Sequence, residues 1–238
     1  MRHDDQFPRK GSYGRDAPFF LPILAVLFAI NAVNWAVSRK IPPLIGAMAI
    51  LFFGLWGLYT SKRGKFLVWA DLLNELKLRG DEKILDLGCG RGAVLFLAAQ
   101  HLSSGRAVGV DIWSRVDQSG NSEQAARRNA LAEGVADRIE LVTADMRQLP
   151  MEGEQFDLIV SNFAIHNING SAGRAKALEE AVRVLRPGGR LLIADVRCTS
   201  FYREHLTRLG MIEVARRNLG WLMWPTRLVS ARKPVKNS

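Results

Sequence analysis

The chain has 238 residues, 48% of them hydrophobic, and a formal charge of +10. That length allows one good-sized domain plus something smaller, and two cysteines, Cys89 and Cys198, exclude a disulfide framework and a cysteine-rich metal site. Residues 1–65 hold nine Lys and Arg against three Asp, whereas residues 66–238 hold 24 basic against 20 acidic residues, so the excess positive charge sits beside the greasiest segments and points to an anionic membrane surface before nucleic acid.

Residues 1–18 are polar and rich in Gly, Pro and charge, and read as a disordered tail. Residues 19–60 read as a two-helix transmembrane hairpin. "FFLPILAVLFAINAVNWAV" and "IPPLIGAMAILFFGLWGLYT" are uncharged runs of 19 and 20 residues, split by "SRK". At about 1.5 Å rise per residue each covers roughly 30 Å of hydrocarbon. Pro42 and Pro43 suit the start of the second helix, and Asn31 and Asn34 are best placed facing that helix or the interface. A buried helix pair in a soluble domain is the other reading. Basic residues outnumber acidic ones in both the tail and the far flank, Lys62, Arg63 and Lys65. The positive-inside rule therefore favours both ends in the cytoplasm. The loop's own Arg39 and Lys40 keep open a hairpin that enters one leaflet and returns.

Residues 61–82 read as a linker and a leading amphipathic helix, and 83–232 as an α/β domain, with 233–238 a short tail. In the domain strand-like and helical runs alternate: "KILDLG", "AVLFLAAQHL", "AVGVDI", "SEQAARRNALAEG", "IELVTAD", "FDLIVSN", "AGRAKALEEAVRVLRPGG", "RLLIADV", "YREHLTRLG", then two weaker strands near 211–217 and 226–232. Such alternation implies right-handed crossovers and a mostly parallel sheet.

The first strand runs into "DLGCGRGAV", with Gly88, Gly90 and Gly92 where backbone must approach a ligand closely. The glycine pattern alone suits a dinucleotide as well, and Asp111 at the end of the second strand suits a ribose hydroxyl in either case. Asp86 separates the two: a carboxylate beside the loop repels a pyrophosphate and welcomes a ligand carrying an ammonium and a sulfonium.

The span from about residue 65 to 232 resembles the class I S-adenosylmethionine (SAM)-dependent methyltransferases. The resemblance rests on "ILDLGCGRG", "VGVDIW", "TADMRQLP", "FDLIVSNFAIHNI" and "VLRPGGRLLIAD", in that order. It implies a Rossmann-like seven-stranded sheet with helices on both faces and an antiparallel last strand. It implies that Asp86, Gly88, Cys89, Gly90 and Gly92 surround the methionine part of the cofactor and that Asp111 accepts from the ribose. It implies further that Ile112 lies against the adenine, Asp145 accepts from the adenine amino group with Met146 beside the ring, and Asn162 lies near the methionyl end. It does not cover residues 1–64. The stretch "IWSRVDQSGNS" is longer than the turn usual in the family, and either covers the adenosine side or is a plain surface insertion.

His166 follows the fourth strand, where substrate enters in this family. With an ordinary pKa near 6.5 it is a candidate general base. The low cost of methyl transfer to an already ionised nucleophile favours the alternative, a histidine in the wall of the site. The Ser-Asn-Phe-Ala segment lacks the Asn/Asp-Pro-Pro-Tyr type associated with nucleobase and amide methylation. The sequence therefore predicts a membrane-anchored methyltransferase, its catalytic domain on the cytoplasmic side, acting on a small lipophilic acceptor such as a lipid, quinone precursor, phenol or thiol. No metal and no nucleic acid are expected. An NAD(P)-binding oxidoreductase and a non-catalytic methyltransferase-fold membrane protein are the rivals.

Overall fold

The computed structural model describes residues 9–14, 19–223 and 225–235. Two helices come first, α1 (Phe20–Ser38) and α2 (Ile41–Tyr59). Arg39, in the left-handed region at φ 54°, ends α1, and Pro42 and Pro43 open α2. The two pack against each other, with glycines of α2 facing α1. A Cβ at Gly46 would stand 2.7 Å from Asn31 Oδ1, and one at Gly57 would stand 3.3 Å from a ring carbon of Phe20. Asn31 thus faces the second helix, as expected. No residue of α1 and only Ala47 of α2 is buried, so much of this apolar surface points away from protein.

Helix α2 does not end in a linker. A π-helical turn, Thr60–Gly64, carries it directly into α3 (Lys65–Glu75), where the sequence separates hairpin from leading helix. Helix α3 buries Phe66, Val68, Trp69, Leu72 and Leu73, and each such side chain removed from water contributes about 1.5–3 kcal/mol. The hairpin is also tied down by the loop before the last strand. Trp56 Nε1 donates to the Trp221 carbonyl at 3.0 Å, and the two rings lie 5.5 Å apart.

The α/β part follows as β1 (Lys83–Leu87), α4 (Ala93–Gln100), β2 (Arg106–Asp111), α5 (Glu123–Glu133), β3 (Ile139–Thr143), β4 (Phe156–Asn162), α6 (Ser171–Val184), β5 (Leu185–Asp195), α7 (Thr199–Arg208), β6 (Ile212–Asn218) and β7 (Arg227–Arg232). The strands form one sheet in the order β3-β2-β1-β4-β5-β7-β6. β7 runs antiparallel to both β5 and β6, while the first five strands are parallel. This is the class I methyltransferase sheet that the resemblance implies. One detail differs: "RPGG" does not separate α6 from the next strand. β5 starts at Leu185, and the segment is taken up as an irregularity in the β4–β5 register between Phe156 and Leu158.

Helix α4 is buried from Ala93 through Ala99 because it lies between the sheet and α3, which is why "AVLFLAA" is apolar on every side. Chain order reverses at β1, which lies between β2 and β4. In an open parallel sheet that switch point opens a crevice beyond the carboxyl ends of the strands. The glycine loop after β1 and the segment after β4 face each other across it.

Residues 9–14 of the expected tail lie against α5. The backbone amides of Lys10 and Gly11 and the Tyr13 hydroxyl all donate to Glu133 Oε1. Tyr13 packs edge-on to Phe66 at 5.0 Å. The remaining tail, residues 1–8 and 15–18, lies outside the described residues, as do residues 236–238 of the C-terminal tail. Lys233 at the start of that tail donates through Nζ to the Val182 and Leu185 carbonyls.

Candidate active site

A cavity of about 1090 Å³ occupies the crevice. Its floor is the loop after β1. Gly88 and Gly90 take φ +75° and +52°, and Gly92 starts α4 at +88°. A Cβ at Gly88 would collide with Ala164 Cβ, and one at Gly90 would stand 2.5 Å from Gln118 Oε1. Glycine is required here by both conformation and space.

Asp86 is 1% exposed, and its Oδ1 has no hydrogen-bond partner. Burial, with Asp111 as a nearby second carboxylate, pushes its carboxyl up to about 8. A buried carboxylate oxygen without a donor, on the wall of a cavity, fits a cationic ligand. Asp111 ends β2. Its Oδ2 accepts from the Gly90 amide at 2.7 Å and its Oδ1 from the Trp113 amide at 2.6 Å, and burial raises its carboxyl too. Oδ1 accepts from Asn121 Nδ2 as well, at 3.3 Å, so Oδ2 is the oxygen that retains a lone pair, which suits a ribose hydroxyl as a further donor. Cys89 lines the cavity, yet its sulfur also faces the core: a Cβ at Gly109 on β2 would stand 2.7 Å from it. Burial pushes the thiol well up, with Asp86 and Asp111 adding to the shift, so it is a packing group.

Across the cavity, Asp145 is gripped by Arg147, whose Nε donates to both carboxylate oxygens at 3.0 and 2.9 Å. That guanidinium holds the Asp145 carboxyl below its ordinary range. Met146 and the exposed Ile112 line the same space. The stretch 112–122 also contributes Ser114, Val116 and Gln118 to the wall. Gln118 Oε1 accepts from the Arg91 amide at 3.0 Å and its Nε2 donates to the Tyr13 carbonyl at 3.2 Å. The insertion therefore sits over the glycine loop, with the N-terminal segment bonded to it.

Asn162 ends β4, and its Oδ1 accepts from Trp69 Nε1 of α3 at 2.8 Å. Phe163 then takes φ 56°, uncommon for a bulky residue, and turns the chain so that Ala164 packs on Gly88. A 3₁₀ turn, Ile165–Asn167, carries His166. Its Nδ1 lies against Asp195 Oδ1, and its side chain is 13% exposed on the cavity wall. Asp195, at the end of β5, is fully buried and also accepts from the amides of His166 and Val196 and from the Tyr202 hydroxyl.

The sequence reading gathers Asp86, the three loop glycines, Cys89, Asp111, Ile112, Asp145, Met146, Asn162 and His166, and the structure brings all but Gly92 to one cavity. Gly92 acts from behind, where a Cβ would collide with the Phe96 ring. Missing from that reading are Trp69, Asp195 and Tyr202, and the hairpin's own share of the wall: Phe20 and Leu24 of α1 and Ile50, Phe53 and Trp56 of α2. Asp195 carries a signal in hindsight, being the lone acid at the carboxyl end of the apolar run "LLIAD" in a parallel strand.

Residues 85–193 match a family model described as a methyltransferase domain. That span is therefore similar to a methyltransferase domain. Over 129 residues, 54% of this chain and 48% of the relative, the chain is 32% identical to the ubiquinone/menaquinone biosynthesis C-methyltransferase UbiE of Roseobacter denitrificans. Over 148 residues, 60% of this chain and 41% of the relative, it is 30% identical to the sterol 4-C-methyltransferase strm-1 of Caenorhabditis elegans. The chain thus spans about half the length of the curated relatives it matches. Among solved structures, a SAM-dependent methyltransferase from Aquifex aeolicus aligns at TM-score 0.58 and 20% identity, covering 69% of this chain and 88% of that one. The [4+2]-cyclase SpnF aligns at TM-score 0.55 and 19% identity, covering 70% and 80%. SAM is the cofactor named for the Aquifex aeolicus protein, and the partnerless Asp86 oxygen fits a cationic ligand of that kind. A pyrophosphate at the same place would face a buried carboxylate.

Proposed function

We propose that this protein is a membrane-anchored methyltransferase that transfers a methyl group to a small lipophilic acceptor, with the hairpin of α1 and α2 in the bilayer and the catalytic domain on the cytoplasmic side. One observation carries the reading: the cavity that holds Asp86 and the glycine loop extends without interruption to Phe20, Leu24, Ile50, Phe53 and Trp56 of the hairpin. An acceptor in that cavity touches helices whose large apolar side chains are exposed at many positions along both. Membrane-borne acceptors then reach the site at raised local concentration. The relatives named for quinone biosynthesis and sterol methylation support a lipophilic acceptor.

When bound, the cofactor supplies an electrophilic methyl group, and the chain's own residues bind and orient. Asp86 would hold the cofactor's ammonium, Asp111 its ribose hydroxyls, and Asp145 its adenine amino group, the last in competition with Arg147. Ile112 and Met146 would hold the adenine, and Asn162, fixed by Trp69, the methionyl end. The hairpin residues and Phe163 exclude water from the acceptor side.

The test is tritiated methyl transfer from labelled cofactor into separate membrane and cytosol extracts, by the full chain and by a form lacking residues 1–60. Label in a lipid-extractable product from membranes, lost with the deletion while S-adenosylhomocysteine (SAH) still binds, supports the reading. Equal labelling of membrane-borne product by the shortened form sinks the anchoring role. Cofactor binding with no product in either extract favours a fold put to another use, as in the cyclase that shares it.

A further inference from the structure

We infer that the acceptor is an amphiphile with an acidic head group, its hydrocarbon part lying along the hairpin and its acid held by Lys65. This inference deepens the methyltransferase reading and rests on it.

Lys65 is the first residue of α3, and only 2% of it is exposed. It is the last of three basic residues that follow the hairpin. Lys62 and Arg63 are exposed, as cations beside a bilayer surface ordinarily are. Lys65 is turned inward and lines the cavity. Backbone packing sets this placement. A Cβ at Gly64 would collide with the Leu222 carbonyl oxygen, so the π turn lies directly against the loop before β7. Met223 and Thr226 of that loop are buried and line the same cavity.

Charge is divided between the two halves of the cavity. Among the described residues of the wall, the carboxylates are Asp86, Asp111, Asp117 and Asp145. They stand at the ends of β1 and β2 or in the segments after β2 and β3, the half assigned to the cofactor. Arg147 is bound to Asp145 in that half. The hairpin half of the wall, from Phe19 to Lys65, carries a single charged residue, Lys65. The segment after β5 adds the exposed Arg197. The acceptor half is therefore apolar with cations set into it.

Lysine presents an ammonium, with three donors and no acceptor. A cationic acceptor is repelled by it, and a plain hydrocarbon leaves it unused. An acid with hydrocarbon behind it meets both features of the wall: the charge at Lys65 and the apolar faces of Phe20, Leu24, Ile50 and Phe53. Lys65 and Arg197 are binding residues in this arrangement, and no proton passes through them. A lysine that served packing alone would rest on the Phe66 ring, whose centroid is 5.6 Å from Nζ.

The test uses the full chain in phosphatidylcholine nanodiscs with SAH present. Dodecanoic acid and dodecanol, each carrying a diazirine on the chain, are photolysed, and saturable label on Phe20, Phe53 and Trp56 is measured by mass spectrometry. The acid should saturate at a concentration about tenfold or more below the alcohol. Competition by dodecanoate or by dodecyl phosphate supports the inference, and the stronger of the two assigns a carboxylate or a phosphate head. Competition by dodecanol or dodecylamine as strong as by both acids overturns it, as does the absence of saturable label. Lys65→Met keeps the apolar stem and removes the charge. It should weaken labelling by the acid about 30-fold, as loss of one partner of a buried charge pair does. The alcohol should change less than about threefold, SAH binding should persist, and Lys65→Arg should recover most of the acid's affinity. An acid affinity within about threefold of wild type in Lys65→Met overturns the inference and leaves the lysine to packing on Phe66. Should Lys65→Met fail to fold, the wild-type ranking of acids against alcohol and amine decides alone. Absence of SAH binding by the wild type sinks the methyltransferase reading instead, while the labelling still judges Lys65.

Discussion

Trp69 Nε1 donates to Asn162 Oδ1 at 2.8 Å, and this bond joins the helix that continues out of the hairpin to the residue at the end of β4. Trp69 is fully buried and sits on α3, which α2 enters through a π turn with no break. Any tilt of the hairpin is thus transmitted to a side chain beside the glycine loop. Trp69→Phe keeps most of the volume and removes the donor. A half-buried amide oxygen left without its partner costs about 2 kcal/mol, or roughly 4–8 °C in Tm at this chain length. Calorimetry of SAH binding should show weaker affinity as well. A fall in Tm with unchanged affinity would confine the bond to folding.

Gly88→Ala addresses the loop directly. Gly88 has φ +75°, and the added Cβ collides with Ala164 Cβ on the opposite lip. The lip must move, and with it the turn that carries His166. Loss of SAH binding with a native far-UV circular dichroism spectrum is the expected outcome. Retained binding would mean that the 163–168 turn yields without disturbing the site.

The sheet was legible because each parallel strand is a short apolar run ended by a glycine, an acid or, in β4, Asn162, and helical runs alternate with these strands. The cofactor residues were legible for a related reason: Asp86 to Gly92, Asp111, Asp145 and Asn162 all lie at or just beyond the carboxyl ends of strands, where topology alone converges them. The Asp195–His166 pair was not, because its members are 29 residues apart and meet only through the β4–β5 pairing. Nor was the bond between Trp69 and Asn162, 93 residues apart. The wall formed by Phe20, Leu24 and Phe53 was hidden for another reason. Apolar residues in an apolar helix show no periodicity to mark those that face a cavity.

The raised carboxyl of Asp86 predicts a pH dependence with a definite sign. In the unfolded chain this group titrates near its ordinary value of 3.8, and in the folded, cofactor-free protein at about 8. The native state therefore holds the extra proton between these values, and its stability falls as pH rises from about 4 to 8. A ligand ammonium favours the ionised form, so SAH binding releases a proton below pH 8 and tightens up to that pH, by at most about tenfold per unit. Calorimetry in two buffers of different ionisation enthalpy measures the release directly. Asp86→Asn should abolish most of it, and the remainder reports Asp111, whose carboxyl burial also raises.

Glu133 tests whether the N-terminal segment helps to hold the cofactor loop. Its Oε1 accepts from the amides of Lys10 and Gly11 and from the Tyr13 hydroxyl, and the Tyr13 carbonyl accepts in turn from Gln118. Gln118 is the side chain over Gly90, bonded to the Arg91 amide. Glu133→Ala removes three acceptor contacts at once, on a helix face distant from the cavity. Deuterium uptake should rise over residues 9–14 and, through Gln118, over 112–122. SAH affinity should fall about fivefold, the low end of coupling between separate sites. Faster exchange confined to residues 9–14, with affinity unchanged, would show that the insertion keeps its place over the glycine loop by its bonds to Arg91 alone.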